Sequence, residues 1–195
     1  MVDTIGPMVR AGDEDGRSVE LAHFAGGALG GALSGFFLGA MGAIAGLDEG
    51  RPWGLVAGVA VFAVVAVAID ALHEGRKLGL ARQTPRSWRH VLPTGSAAFL
   101  NGFDLGLGWS TRIYFVSYAV ALVGAVVSAH ALAGAAIGGA FGAARALFVV
   151  VARRRSDGTL SIDSIAARRG RVLVLNGAAL LQFAAVAALT AAALR

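Results

Sequence analysis

The residues most able to do chemistry in this chain lie between Asn101 and Tyr118, inside a long apolar stretch. On a regular helix, Asp104, Thr111 and Tyr118 fall close to one line, and Asn101 and Arg112 lie on its flank. Ionised side chains in the middle of a bilayer are costly, and they are tolerated where they pair inside a bundle or line a wet cavity. This stripe therefore predicts a polar path for a small solute or an ion.

The stripe also raises the question of which charges pair. Asp104 and Arg112 are eight residues apart, or about 12 Å along a helix axis, so they cannot pair on an unbroken helix. Arg145 in the next apolar stretch is the predicted partner of Asp104. An unbroken helix over 97–128 would be about 48 Å long, well beyond a hydrocarbon core of about 30 Å. We therefore predict a break within 106–111, where two half-helices would expose backbone groups able to bind an ion or polar solute.

Two other interpretations of the stripe remain open. If the membrane-spanning part begins near Ser110, Arg112 is an ordinary interfacial cation and Asp104 belongs to a shallow amphipathic helix. Alternatively, the polar side chains contact another subunit. Neither of these interpretations requires a transported solute.

Composition indicates which solvent surrounds most of the chain. Only 15% of the residues are charged and 56% are hydrophobic, whereas about a quarter of a soluble domain is charged. The net charge of +5 is concentrated in two arginine-rich segments that lack the aromatic residues of a nucleic-acid surface, which excludes nucleic acid as a partner. We expect an all-α, polytopic transmembrane bundle that contacts the anionic lipids of the inner leaflet. Arginine in place of lysine, with abundant alanine and glycine, is typical of a GC-rich bacterial genome, so we expect the membrane to be a bacterial cytoplasmic membrane.

Charge also predicts the organisation of the chain. A polar, acidic cytoplasmic tail over 1–20 precedes a single transmembrane domain over 21–195. Because basic loops stay on the cytoplasmic side, the loops 73–95 and 152–171 place the N-terminus inside and the C-terminus outside. A break in the third span would raise the number of spans from five to six. The predicted spans are 21–47, 53–72, 97–128, 130–151 and 172–194.

Glycine recurs at every fourth residue on the first and fourth spans. This spacing puts small residues on one helix face, where two backbones approach closely and dispersion drives association. We predict that the two spans pack together within one chain, although the same faces could join copies in a homo-oligomer or other membrane subunits. The glycines are Gly27, Gly31, Gly35, Gly39, Gly134, Gly138 and Gly142.

The sequence gives little support for cofactor or enzyme chemistry. The absence of cysteine excludes disulfides and thiolate metal sites. A haem bridging His23 and His73, or a metal bound by Asp70, His73 and Glu74, is a weaker interpretation than polar side chains marking the ends of spans. We find no nucleophile–base pair, phosphate-binding glycine loop or paired carboxylates. We therefore expect no cofactor, no bound metal and no enzymatic activity.

The segment 102–111, together with Tyr118 and the segment 141–145, resembles small bacterial membrane proteins of the LysE/DsbD transporter-like group. The resemblance implies solute export or thiol transfer across six crossings in inverted halves, and the absence of cysteine removes thiol transfer. A short match of 35–39 to 102–106 suggests instead a parallel repeat, unless it arises by chance. Two functions are predicted: a small-solute or ion transporter, or a non-catalytic subunit of a larger membrane complex.

Overall fold

The computed structural model describes residues 16–47, 52–72, 91–108 and 118–155, and every regular element within these ranges is an α-helix. The predicted all-α class is therefore confirmed for this part of the chain. The predicted span 172–194 and most of both basic loops lie outside the described residues. The helices are α1 (Gly16–Ile44), α2 (Pro52–Leu72), α3 (Thr94–Leu107), α4 (Tyr118–Val127) and α5 (Ala131–Arg155).

Two of these helices are long and apolar enough to cross a membrane, by length and composition. They are α1 and the Ala131–Val151 part of α5. The 29 residues of α1 correspond to about 43 Å, which exceeds a hydrocarbon core of about 30 Å. The shorter apolar stretch Ala57–Ala66 lies within α2, which is 21 residues long.

Helix boundaries differ from the predicted span boundaries at several points. The first helix begins at Gly16 rather than at residue 21, and α5 continues to Arg155 rather than ending at residue 151. Val19, in the first of these extensions, is fully buried against other helices. Tertiary packing therefore extends α1 past the end of the apolar run, because hydropathy marks the expected limit of lipid rather than the end of a helix.

The first helix lies at the centre of the described structure, and α3 runs parallel to it. Gly26 of α1 lies against the backbone of Phe99, and Gly30 lies one turn further on against the backbone of Phe103. Residue numbers rise together along both helices at this contact, so α1 and α3 point in the same direction. A methyl group added at either glycine would overlap a carbonyl oxygen of α3, which explains why neither position carries a side chain.

The fifth helix packs antiparallel on a second face of α1. Along this contact, residue numbers rise on α1 as they fall on α5, and the facing backbones leave no room for a Cβ atom. Close backbone approach of this kind maximises dispersion contact between helices. The facing residues are Gly27 with Gly142, Gly31 with Gly138, Gly35 with Gly134, and Gly39 with His130. These contacts lie within one chain and favour the intramolecular interpretation of the two glycine series.

On α1, small residues are buried and large apolar residues are exposed, which is the opposite of the distribution in a soluble protein. Its buried residues are seven glycines together with Val19, Glu20 and His23. Its large apolar side chains face outward, Phe37 being 59% and Met41 61% exposed. Soluble proteins bury most of their large apolar residues. The distribution in α1 is the one expected of a helix that packs on small residues and is surrounded by lipid.

The second helix packs on α4. Val59, Ala63 and Ala66 are buried in one cluster with Val120, and Phe62 of α2 packs against this cluster from the same helix. Their spacing of four and three residues places the buried side chains of α2 on one face. Helix α2 therefore joins the bundle through α4, the helix at the end of the third apolar stretch.

Candidate functional site

Within its described residues, the third apolar stretch contains two helices, and the first of them ends where the sequence predicts a break. α3 ends at Leu107, and Gly108 follows with a φ of 84°. This left-handed conformation closes many helices and favours glycine, because a Cβ atom would be strained there. The next described helix, α4, begins at Tyr118. A single line of side chains from Asp104 to Tyr118 is therefore wrong, since it assumed a continuous helix.

The break lies level with the middle of α1. Gly30, the central residue of α1, lies against the backbones of Phe103 and Leu107. On the other side of the break, Val126 of α4 lies against Gly42, which is twelve residues or about 18 Å further along α1. The third stretch therefore follows α1 as two half-helices, α3 along its first half and α4 along its second.

Arg145 of α5 hydrogen bonds to the end of α3. The last four carbonyl groups of a helix have no partner within that helix. Arg145 Nη1 donates to one of them, the Leu105 carbonyl oxygen, at 2.8 Å. Its guanidinium carbon also lies 5.6 Å from the ring centroid of Phe141, a cation–π distance. Arg145 thus places a positive charge at the negative end of the helix dipole of α3.

This hydrogen bond places Arg145 beside Leu105. Leu105 directly follows Asp104, which is the predicted partner of Arg145. Asp104 is half-buried, whereas Asn101 is buried one turn earlier on α3. Both have polar interactions. For the remaining members of the stripe, Thr111 and Arg112 lie outside the described residues, and only the backbone of Tyr118 is described.

A small cavity of about 10 Å³ lies beside the end of α3, and this volume is about enough for one water molecule. Among the described residues that line it, Ser34 contributes the only hydroxyl group, and the other side chains are apolar. In this conformation, the described helices therefore pack closely around the break. The cavity is lined by Gly31, Ser34, Gly35, Leu38, Gly106, Leu107, Ala121, Leu122, Ala125, Gly138 and Phe141.

His23 is the most deeply buried polar residue of the described chain, and sequence reasoning did not assign it to the site. It is 1% exposed, and its Nδ1 lies 3.3 Å from the Ala98 carbonyl oxygen of α3. The sequence did contain a signal, because His23 precedes Gly27, Gly31 and Gly35 at the same four-residue spacing. A polar residue that continues a packing face is expected to be buried in the interface.

Metal chemistry finds no further support in the described part of the chain. No group of three or more His, Asp or Glu side chains there could hold a metal ion. His73 and Glu74, which the sequence offers as metal or haem ligands, lie outside the described residues. The side chain of Asp70 is likewise not described.

Comparison of the chain with protein family models, with characterised proteins and with solved structures found no match. The resemblance to the LysE/DsbD transporter-like group therefore stays a prediction. The functional interpretation depends on the broken third stretch, Arg145 at the end of α3, and the distribution of large and small residues on α1.

Proposed function

We propose that this chain is a multi-pass protein of a bacterial cytoplasmic membrane. The outward-facing Phe37 and Met41 on α1, opposite its buried glycines, support lipid as the surrounding solvent. The antiparallel packing of Gly27 on Gly142 brings the start of α1 and the arginine-rich end of α5 to the same end of the bundle. This agreement with the charge distribution supports a cytoplasmic location for both ends.

Within the membrane, the function that the geometry supports best is transport of a small solute or an ion. The observation that carries this proposal is the interruption of α3 at Gly108, level with the middle of α1. In a bilayer, unpaired backbone groups are tolerated at mid-depth only where protein or a water-filled cavity surrounds them. Broken helices meeting near the midplane are a recurrent way for transporters to build ion and solute sites.

The charged residues support the same location for the path. Asp104 follows Phe103, which contacts the central residue of α1, so Asp104 lies at mid-depth if α1 spans the membrane. This level favours the buried site over a shallow amphipathic helix. The described helices leave room for about one water at the break, so this part of the chain is in a closed arrangement. Transport would require α3 and α4 to separate from α1 or α5 there.

The first test of this proposal uses the absence of cysteine from the chain. We expect Leu107→Cys, at the cavity wall, to react with a small, membrane-impermeant thiosulfonate reagent in sealed vesicles. A thiol reacts as the thiolate, which forms only where water reaches it. The rate of labelling, followed by mass spectrometry, reports a water-accessible path at the break.

The matched control is Leu33→Cys. Leu33 lies within about one turn of Gly30 on α1, and its side chain is exposed on the outside of the bundle. A lipid-facing thiol at this level should remain unlabelled. Equal labelling of both positions would contradict a lipid-facing surface, and labelling of neither would contradict an aqueous path.

The alternative function is a non-catalytic subunit of a larger membrane complex. One observation favours it: Leu29, Leu33, Phe37 and Met41 form an exposed apolar stripe at four-residue spacing on α1, and such a face could contact another subunit as well as lipid. Purification in a mild detergent distinguishes the two functions. A transporter is expected to purify alone or as a homo-oligomer whose thermal stability depends on a solute. A companion protein at fixed stoichiometry would instead support the subunit function.

A further inference from the structure

The imidazole of His23 is held in one orientation at the contact between α1 and α3. Nδ1 lies 3.3 Å from the Ala98 carbonyl oxygen. A carbonyl oxygen only accepts hydrogen bonds, so Nδ1 must carry the hydrogen and donate it. In the neutral ring, Nε2 then carries no hydrogen and offers a lone pair.

This lone pair has no partner in the part of the chain that the structure describes. Nε2 is buried, with less than 1 Å² of accessible surface, and it forms no hydrogen bond to a described residue. A buried acceptor without a donor is unfavourable, and in native structures such a group requires an explanation. His23 therefore presents an unsatisfied base in the half of the bundle that we assign to the cytoplasmic side.

We propose that Nε2 of His23 binds a proton, and that this proton drives or gates the transport proposed above; only the second part rests on that function. A hydronium ion transfers its proton to the Nε2 lone pair, which leaves water and produces an imidazolium, while Nδ1–H continues to donate to the Ala98 carbonyl oxygen. The Ala98 carbonyl cannot accept the other ring proton, so the bound proton must also leave from Nε2. His23 therefore binds and releases the proton at the same atom, Nε2. Because Nε2 is buried, its surroundings must change for the proton to enter or leave.

The groups around His23 explain why this change would involve the helices. Val19, Ala98 and Val149 form an apolar cluster from α1, α3 and α5 in this part of the bundle, and a charged imidazolium is unfavourable among such side chains. Protonation therefore favours entry of water, or separation of α1 from α3. Because α3 ends at the break, a movement of this helix would reach the proposed path.

The ionisable neighbours on each packed helix act in opposite directions. On α1, the buried Glu20 lies one turn before His23 and would favour the imidazolium, whereas the exposed Arg17 lies near the helix end. Asp104 on α3 would also favour the imidazolium, and Arg145 on α5 would oppose it. The carboxylates thus offer a partner for the charged ring once the apolar cluster opens.

The direct test is ¹⁵N NMR of the histidine side chains in the unmodified protein in lipid nanodiscs, with His23→Gln and His130→Gln used for assignment. We expect His23 to be the Nδ1–H tautomer at neutral pH and to gain a proton at Nε2 as the pH falls from neutral to about pH 5. His130, which is exposed, provides the reference signal of a solvent-accessible imidazole. A His23 ring that stays neutral down to this pH would overturn the proposal.

The second measurement tests whether the proton reaches the path. Labelling of Leu107→Cys, expressed relative to the labelling of a free thiol at the same pH to remove the pH dependence of the thiolate itself, should change in rate between neutral and mildly acidic pH. His23→Gln should abolish this relative change, whereas His130→Gln should preserve it. If His23 titrates but Leu107→Cys is never labelled, the proton site stands and the transport function fails. If Leu107→Cys is labelled but its rate is the same in both histidine variants, the coupling between His23 and the path is wrong.

Discussion

Gly35→Ala is expected to lower the free energy of unfolding by about 1–3 kcal/mol, the usual cost of overpacking a close contact. Its Cβ atom would overlap the carbonyl oxygen of Gly134 and lie 3.0 Å from the Cα atom of Gly138. Both obstacles are backbone atoms, so no side-chain rotation can relieve them, and α1 must move away from α5. The midpoint of thermal unfolding in a mild detergent measures the effect.

The matched control for this variant is Gly58→Ala. Gly58 lies inside α2, and an added Cβ there would meet no atom of the described residues within 4 Å. Both substitutions gain the same helix propensity, about 1 kcal/mol, so the difference between them isolates the packing contact. Gly134→Ala should resemble Gly35→Ala, because its Cβ would overlap the carbonyl oxygen of Gly35. Equal unfolding midpoints for Gly35→Ala and Gly58→Ala would contradict backbone contact between α1 and α5.

The glycine series illustrates how far a sequence pattern predicts packing. Glycines at four-residue spacing predict that one face of α1 meets another backbone, because no other contact requires so many small residues. The pattern did not predict the second face. Gly26 and Gly30 pack on α3, but they are adjacent in sequence to the first series and cannot be assigned to a different neighbour without the positions of both helices.

The broken helix was predictable for a different reason. An apolar run too long for the hydrocarbon core must leave the membrane, tilt or break, and Gly106 and Gly108 mark the weakest point. The hydrogen bond from Arg145 to the Leu105 carbonyl was not predictable. Every residue carries a carbonyl group, and only the end of a helix leaves one free to accept a side chain.

The internal repeat shows the limit of short motifs. Parallel α1 and α3 have the relative direction that the repeat requires, yet the matched glycines lie at different levels. Gly102 lies against His23 and Gly27, whereas Gly35 is at least eight residues further along α1, or about 12 Å. Two spans related by an axis along the membrane normal would place equivalent residues at equal depth, so this match does not describe the arrangement of the helices.

Arg145→Gln is expected to lower the free energy of unfolding by about 1.5–3 kcal/mol, the range for a hydrogen bond from a charged group. The substitution removes the guanidinium from the Leu105 carbonyl and from the Phe141 ring. It leaves the end of α3 uncapped at mid-depth, where few other donors are available. Leu107→Cys should therefore react faster in the Arg145→Gln background. Arg145→Lys should have a smaller effect, because it keeps the charge but loses the planar donor geometry.

A double-mutant cycle determines whether Asp104 belongs to the same unit. If the two charges interact, Asp104→Asn and Arg145→Gln will be non-additive by about 0.5–3 kcal/mol, because each single variant leaves the other charge without its counterpart in a poorly solvated site. Additive effects would restrict Arg145 to capping α3 and would show that Asp104 does not take part in this role. Arg17→Gln provides the charge control, since Arg17 is exposed near the start of α1. A loss of stability from Arg17→Gln as large as from Arg145→Gln would contradict a specific role for Arg145 at the break.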